Sequence, residues 1–404
     1  MDKVTKEMLT RIRWICSHIG PRPPCSEAER RLAEYIRDHW KELTETRLET
    51  FTCHPDAYQA TLRWPVALFI FSLCLYHLVP FLSLLCSAAS VLIIVFNLIL
   101  NRELIDPLFP ERISCNVSAV FPPRGKAERT VVVSCHHDSH FAFPLLNRFG
   151  AKYSLFMAMI VFSNVLVLFI SMLGVLFQLA GSPAMEQGFH RISFPILLVL
   201  TMSVPAHLYT FLKVISDRPV PGANDNLSGV AVCMALADHL AIPEHRPERT
   251  EVWLVSFGCE EIGIRGSKRF LANHGNRLRN AYVLNLDMVG GRGTKLRVVT
   301  KEEKTLISLS ENMVQIMQDI ARRLDIPLEA GPIIAFTDAM AFAMHGIHAT
   351  TLMALDETGI VNTYHSLDDT PENLDSAILL DSYRLCRAFL ERIDDMPSGK
   401  QLNQ

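Results

Sequence analysis

The chain has 404 residues, a formal net charge of −3 and near-equal numbers of Lys plus Arg (39) and Asp plus Glu (42), a balance that argues against a nucleic-acid partner and against an acidic tail. That length can bury a large core, in one big domain or two smaller ones. Mean hydropathy is +0.20, high for a soluble enzyme, and the excess is localised.

In chain order, residues 3–18 read as an amphipathic helix and Gly20-Pro21-Arg22-Pro23-Pro24 as a loop. Ser26 with Glu29 forms a capping box for a helix reaching about Leu43. Thr46–Thr52 alternates as a strand does, Ser114–Phe121 is a second strand, and Pro122-Pro123-Arg124-Gly125 is a turn. Thr130–Cys135, Glu251–Phe257 and Ala281–Leu286 are apolar runs of the kind buried on both faces of a parallel sheet. Ser228–Ala241, Thr305–Leu324 and Ser376–Ile393 read as helices, and Ala349–Ala354 as a further strand. Strands alternating with helices predict an α/β fold, a three-layer sandwich with a mostly parallel sheet.

Two stretches interrupt this pattern. Residues 64–101 contain no Asp, Glu, Lys or Arg, and neither do 153–185 or 192–212. The spacing predicts four transmembrane helices in two inserted hairpins, at about 64–79, 81–101, 153–179 and 192–213, with Ser182 to Arg191 as a polar connector. Four charge-free runs in close succession argue against the alternative, buried helices of a soluble core. Residues 1–62, 102–150 and 216–404 then make one catalytic domain, with hairpins at 63–101 and 151–215. The charged N-terminus is unlike a secretory signal. Paired spans return the chain to its starting side of the lipid bilayer. Arg63, Arg102, Arg148, Lys152, Lys213 and Arg218 flank the spans on that side and Arg191 on the other. The expectation is a multi-pass integral membrane protein whose catalytic part faces the cytoplasm. Ten cysteines without a CxxC pair or framework spacing fit a reducing compartment. Asn116-Val117-Ser118 and Asn226-Leu227-Ser228 match the glycosylation pattern by coincidence on this reading, since the second falls inside a candidate site.

Five segments carry the chemistry: His136-His137-Asp138-Ser139, Asp225-Asn226-Leu227-Ser228-Gly229, Glu260-Glu261, Asn285-Leu286-Asp287 and Tyr364-His365. Three follow apolar strands, where α/β sheets place their sites beyond the carboxyl ends. Imidazole nitrogens and carboxylate oxygens suit zinc. Two metals sharing a bridging carboxylate need about five protein ligands. An adjacent glutamate pair allows one to bind metal while the other stays free as a base. Each segment alone has an ordinary explanation: a surface histidine, a helix cap, a solvated loop. His137 is a rival to His136 as the ligand.

Together and in this order the segments resemble the M28 family of zinc-dependent exopeptidases, the co-catalytic zinc aminopeptidases. The Gly20-Pro21-Arg22-Pro23 loop and the Glu-Glu-Ile-Gly-x-x-Gly-Ser stretch at 260–267 add to the likeness. The resemblance implies two Zn2+ per chain, one held by His136 and Asp287, the other by Glu261 and His365, with Asp225 bridging. It makes Glu260 the general base and acid, lets Asp138 orient His136 and gives Tyr364 the oxyanion to stabilise. Asp338 matches a further position near the site. The implied activity is hydrolysis of N-terminal peptide bonds in a peptide substrate by metal-activated water. A glutaminyl-cyclase-like zinc enzyme and a non-catalytic membrane scaffold on the same frame are the alternatives. The hairpins depart from the family pattern and would anchor the catalytic domain to the membrane.

Overall fold

The structure is a computed structural model that describes residues 2–303, 307–359, 361 and 363–397. The chain divides into two compact units: Met1–Cys53, Arg112–Ala142 and Asp217–Gln404 form one, and His54–Glu111 with Phe143–Ser216 the other.

The first unit is built on a nine-stranded mixed sheet. Its strands are β1 (Glu45–Cys53), β2 (Arg112–Phe121), β3 (Arg129–His136), β4 (Thr250–Phe257), β5 (Tyr282–Leu286), β6 (Lys295–Glu302), β7 (Ile307–Ser308), β8 (Glu329–Ile333) and β9 (His348–Leu355). They lie in the order β1-β2-β4-β3-β5-β9-β6-β7, with β8 also on β6. The central strands β4, β3, β5 and β9 run parallel. Antiparallel pairs flank them, β1–β2 and β2–β4 on one side and β6–β9 on the other.

The near-continuous apolar runs are explained by burial on both faces. Val131, Val133, Leu254 and Leu284 pack into one core with helices Lys3–His18, Glu27–Lys41, Leu227–Ala241, Glu311–Leu324 and Ser376–Asp394. Val132, Trp253, Val255, Phe257 and Val283 pack into a second core with helices Arg265–His274 and Asp338–Met344. These are the three layers expected.

Two local readings change. Ser26 accepts from the Glu29 amide as a capping box requires. The Glu29 carboxylate, however, is buried and takes the Cys25 amide (2.7 Å), the Cys259 amide (2.9 Å) and the Ser114 hydroxyl (3.0 Å). It therefore joins three chain segments instead of closing its own cap. The helix expected from Thr305, a residue outside those described, starts at Glu311; Ile307–Ser308 pairs with β6 instead. The Leu309 amide bonds to the Thr300 carbonyl at 2.9 Å, so the apolar residues before Ser310 complete a sheet edge and not a helix face.

The second unit is helical. Pro55–Leu75, Pro80–Ile99, Tyr153–Leu179 and Pro183–Lys213 are four segments long and apolar enough to cross a membrane. The first begins nine residues before the expected 64 (64 − 55), so Arg63 lies within it, its guanidinium on the Ile215 carbonyl at 3.1 Å. The expected polar connector is also helical. Pro183 starts helix Pro183–Met202, which contains Glu186, His190 and Arg191, and Val204–Lys213 follows after a break at Ser203. Pro183 explains the early start, because it suits the first turn of a helix.

This unit buries small polar side chains beside an apolar cluster of Phe69, Tyr76, Val167, Ile170, Leu197 and Leu200, and leaves large apolar side chains outside. Its interior holds small hydroxyl residues: Ser72 meets Ser83 at 2.8 Å, Ser83 meets Ser171 at 2.9 Å, and Ser163 meets His207 at 2.7 Å. Phe71, Leu78, Phe81, Phe162, Phe169, Leu176, Val199 and Leu212 are exposed. Water would penalise that arrangement, whereas small and polar helix contacts with an apolar outer surface suit lipid.

Candidate metal centre

The parallel register carries the site residues to one edge of the sheet. His136, the last residue of β3, pairs with Phe257 at the end of β4. Ser134 pairs with Asn285 of β5, so Asp287, two residues further on, is level with His136. Glu260 and Glu261 follow β4 through Gly258-Cys259. At Gly258 a Cβ would lie 2.5 Å from the Ser114 hydroxyl and 2.6 Å from the Cys115 carbonyl, so only glycine fits this turn.

Asp225 enters on the loop before helix Leu227–Ala241, and its neighbours hold that loop. The Asn226 side chain caps the helix through the Gly229 amide (3.0 Å) and donates to the Leu286 carbonyl (2.8 Å). The Ser228 hydroxyl donates to Asn224 (2.6 Å) and accepts from the Val289 amide (2.9 Å). A Cβ on Gly229 would lie 2.5 Å from Asn226 Oδ1. The Asp-x-x-Ser-Gly spacing thus fastens the aspartate loop to the end of β5. Asn116 and Asn226 are buried and bonded, so neither sequon is on the surface.

The five expected ligand residues converge. Asp225 faces two histidines with its two oxygens, Oδ1 at 3.3 Å from His136 Nε2 and Oδ2 at 3.4 Å from His365 Nε2. Asp287 Oδ1 lies 3.8 Å from His136 Nε2, and Glu261 Oε2 lies 3.0 Å from His365 Nε2. Glu260 Oε2 is 4.0 Å from His136 Nε2. Asp138 is close to His136 Nδ1 (3.4 Å) and accepts the backbone amides of Glu260 and Glu261, both at 3.1 Å. Tyr364 stacks on the His365 ring with centroids 3.8 Å apart. Asp338 is buried at the start of helix Asp338–Met344. His137 points away from the group, with Nδ1 2.9 Å from the Ser256 hydroxyl.

Two residues outside the five segments, His140 and Asp369, join them, and so does Arg22 from the loop at 20–23. His140 stacks on His365 at 4.1 Å and groups with Glu261 and His365 in ligand-like proximity, as His136 does with Asp225 and Asp287. Its position four residues after His136 on the same strand exit was the available signal. Asp369 accepts the amides of Asn224 (2.7 Å) and Asp225 (3.0 Å). Arg22, from the Gly20-Pro21-Arg22-Pro23 loop, is buried and donates to the carbonyls of His137, Gly20, Pro221 and Gly222 at 2.8–3.0 Å.

So many buried carboxyls raise one another. Burial and neighbouring acids push Glu260 well above the usual carboxylate range, and Glu261 to about 8. Asp338 and Asp369 rise to about 7, again chiefly through burial. Burial alone would lower the His365 imidazole, but Glu261 and Asp225 lift it to about 9. His136 is raised in the same way by Asp138, Asp225 and Asp287. Asp225 moves the other way, because the two histidines outweigh its burial. The cluster is short of positive charge, and Glu261 Oε1 is buried with no hydrogen-bond partner. Bound cations would satisfy both deficits, and the nitrogen and oxygen donor set fits zinc.

Comparison with known proteins agrees with this geometry. Residues 201–390 match Peptidase family M28. That segment holds Asp225, Glu260, Glu261, Asp287, Tyr364 and His365, and the resemblance extends to the fold of the whole chain. BSAP, a zinc aminopeptidase from Bacillus subtilis, aligns over 99% of this chain and 98% of its own, at a TM-score of 0.58 and 15% identity. A Zn-dependent exopeptidase from Parabacteroides distasonis covers 96% of this chain and 97% of its own, at 0.57 and 15%. Fimbriiglobus ruber glutaminyl cyclase covers 96% and 95%, at 0.56 and 14%. In sequence, aminopeptidase YwaD of Bacillus subtilis (strain 168) is 38% identical over 72 residues, only 17% of this chain and 15% of that protein. The first unit therefore shares the α/β fold of these solved structures, and the segment 201–390 is similar to Peptidase family M28.

Proposed function

We propose that this chain is a membrane-anchored zinc metallopeptidase of the aminopeptidase type, acting on peptides with two Zn2+ ions per chain. One observation carries the reading: the two oxygens of the Asp225 carboxylate face His136 and His365 at 3.3 and 3.4 Å, the arrangement a bridging ligand requires. His136 and Asp287 would hold one zinc and Glu261 and His365 the other, with His140 beside the second. When bound, the metals polarise the scissile carbonyl and lower the pKa of water.

The remaining steps belong to the chain's own groups. Glu260 accepts a proton from water at its carboxylate and delivers it to the leaving amine, a role favoured by a carboxyl that burial raises well above its ordinary range. Asp138 holds the amides of Glu260 and Glu261, which aims both glutamates from one turn. Tyr364, held against His365, offers its phenol to the developing oxyanion. The apolar outer surface and the four long apolar helices of the helical unit support anchoring in a bilayer, and the flanking Arg and Lys residues support a cytoplasmic catalytic unit.

The test uses the full chain in detergent. Metal per chain should fall by two when His136 and His365 are both changed to alanine. Release of N-terminal residues from unblocked peptides should be lost with chelator and restored by zinc. Retention of the full metal content by the double variant, or chelator-resistant turnover, would remove the reading. Full extraction of the protein from membranes by alkaline carbonate would remove the anchor. A second reading, cyclisation of N-terminal glutamine, draws on the glutaminyl cyclase neighbours; loss of ammonia without chain cleavage would select it.

A further inference from the structure

All ten cysteines are free, yet three of them, far apart in sequence, meet outside the metal centre. Cys25 lies in the loop before helix Glu27–Lys41, Cys53 ends β1, and Cys259 sits in the turn after β4. The sulfurs form a nearly equilateral triangle: Cys25 to Cys53 is 3.2 Å, Cys25 to Cys259 3.5 Å, and Cys53 to Cys259 3.5 Å. Cys53 and Cys259 are buried and Cys25 is half-buried. The Glu29 carboxylate is 3.5 Å from the Cys259 sulfur and binds the amides of both Cys25 and Cys259. Cys25 (φ 60°) and Cys259 (φ 52°) both adopt the left-handed backbone region, which is strained for a residue with a Cβ. Arg265 and Arg269 place positive charge near Cys53.

Thiol packing alone does not need this arrangement. A buried cysteine acts as a small hydrophobe with a weak donor, and nothing in that role draws three sulfurs into mutual contact. From the Cys25-Cys53-Cys259 triangle, we infer a further metal site that takes a thiophilic d10 cation, Zn2+ or Cu+, on three thiolates. With metal–sulfur distances of about 2.3 Å, such an ion would sit roughly 1.2 Å off the plane of the sulfurs, leaving room for a fourth donor. Glu29 is the nearest carboxylate. Each thiol that ligates loses its proton to solvent as the metal enters. Soft thiolates select these ions over the harder cations that carboxylates prefer. Because Cys259 immediately precedes Glu260-Glu261, the ion ties the Cys25 loop and the end of β1 to the turn that carries the glutamate pair. The site is thus a structural brace for that turn.

The test again uses the full chain in detergent, stripped of metal and reduced. Co2+ titration should produce a thiolate-to-cobalt charge-transfer band, and Cu+ should be bound under anaerobic conditions if copper is the resident ion. Metal should protect Cys25 from alkylation in the unmodified protein, a readout that needs no variant. Metal per chain should fall by one in Cys25→Ser, and also in the triple Cys25→Ser/Cys53→Ser/Cys259→Ser chain. The two ions of the catalytic group should remain in both, so this result and that of the histidine double variant are separable. Absence of the cobalt band together with no Cu+ binding would overturn the inference. So would a mass lower by two hydrogens in the unreduced protein, which would mark a disulfide.

Discussion

Asp138 gives the sharpest test of how the site is held. Its buried carboxylate accepts two backbone amides, those of Glu260 and Glu261, at 3.1 Å each, and sits 3.4 Å from His136 Nδ1. Asp138→Ala removes the acceptor for two buried N–H groups at once. Each unpaired buried donor costs about 1–3 kcal/mol, so the variant should lose roughly 2–6 kcal/mol. At about 2 °C per kcal/mol for a chain of this size, the apparent melting temperature should drop by roughly 4–12 °C. Asp138→Asn keeps one acceptor oxygen and should lose about half as much. Both variants should bind zinc roughly 10- to 100-fold more weakly, because His136 loses the group that orients its ring. The assay is thermal melting at a fixed scan rate, paired with competitive zinc titration. An Asp138→Ala protein with unchanged melting temperature and unchanged zinc affinity would refute the claim that this carboxylate positions the glutamate turn and the histidine.

Arg22→Lys should be strongly destabilising although it keeps the charge. The guanidinium reaches four carbonyls at 2.8–3.0 Å, and an ammonium cannot match that fork. Losing two of those contacts costs about 3 kcal/mol, readable by denaturant titration. Chelated protein should become less stable as pH rises from about 5 to 9. Glu261 (about 8), Asp338 (about 7), Asp369 (about 7) and His365 (about 9) all have folded-state values above their ordinary ones. The folded state therefore binds more protons than the unfolded state across that window, and stability falls with pH. Zinc-loaded protein should show a flatter profile, and a chelated protein that gains stability towards pH 9 would contradict the charge balance described. Glu29→Gln should loosen the turn before Glu260, because Gln offers a weaker acceptor to the Cys25 and Cys259 amides; hydrogen exchange at Cys259 is the measure.

The residues explain why some of this could be read in advance. Strands β3, β4 and β5 are buried on both faces, so their sequences are continuous apolar runs that stand out without any partner. The ligand residues follow those strands directly, and parallel register brings their ends level. By contrast, β8 is short, largely exposed and contains Gly331-Pro332, so it carries neither an apolar run nor alternation. β6 mixes Lys295, Arg297 and Lys301 with Val298 and Val299, so it has no continuous apolar run either. His140 meets His365 across 225 positions, Asp369 meets Asn224 across 145, and Cys25 meets Cys259 across 234 (365 − 140, 369 − 224 and 259 − 25). No local pattern marks such pairs. Helix Pro183–Met202 differs again: Glu186, His190 and Arg191 give its first turns the composition of a connector, but charge does not break a helix.

The central claim is that Glu260 moves the proton while five other side chains hold metal. It is tested most directly by comparing the unmodified chain with Glu260→Gln for metal content and for release of the N-terminal residue from an unblocked peptide. The expected result is unchanged metal per chain with turnover reduced by about 10²–10⁴-fold. Full turnover in Glu260→Gln would contradict the account.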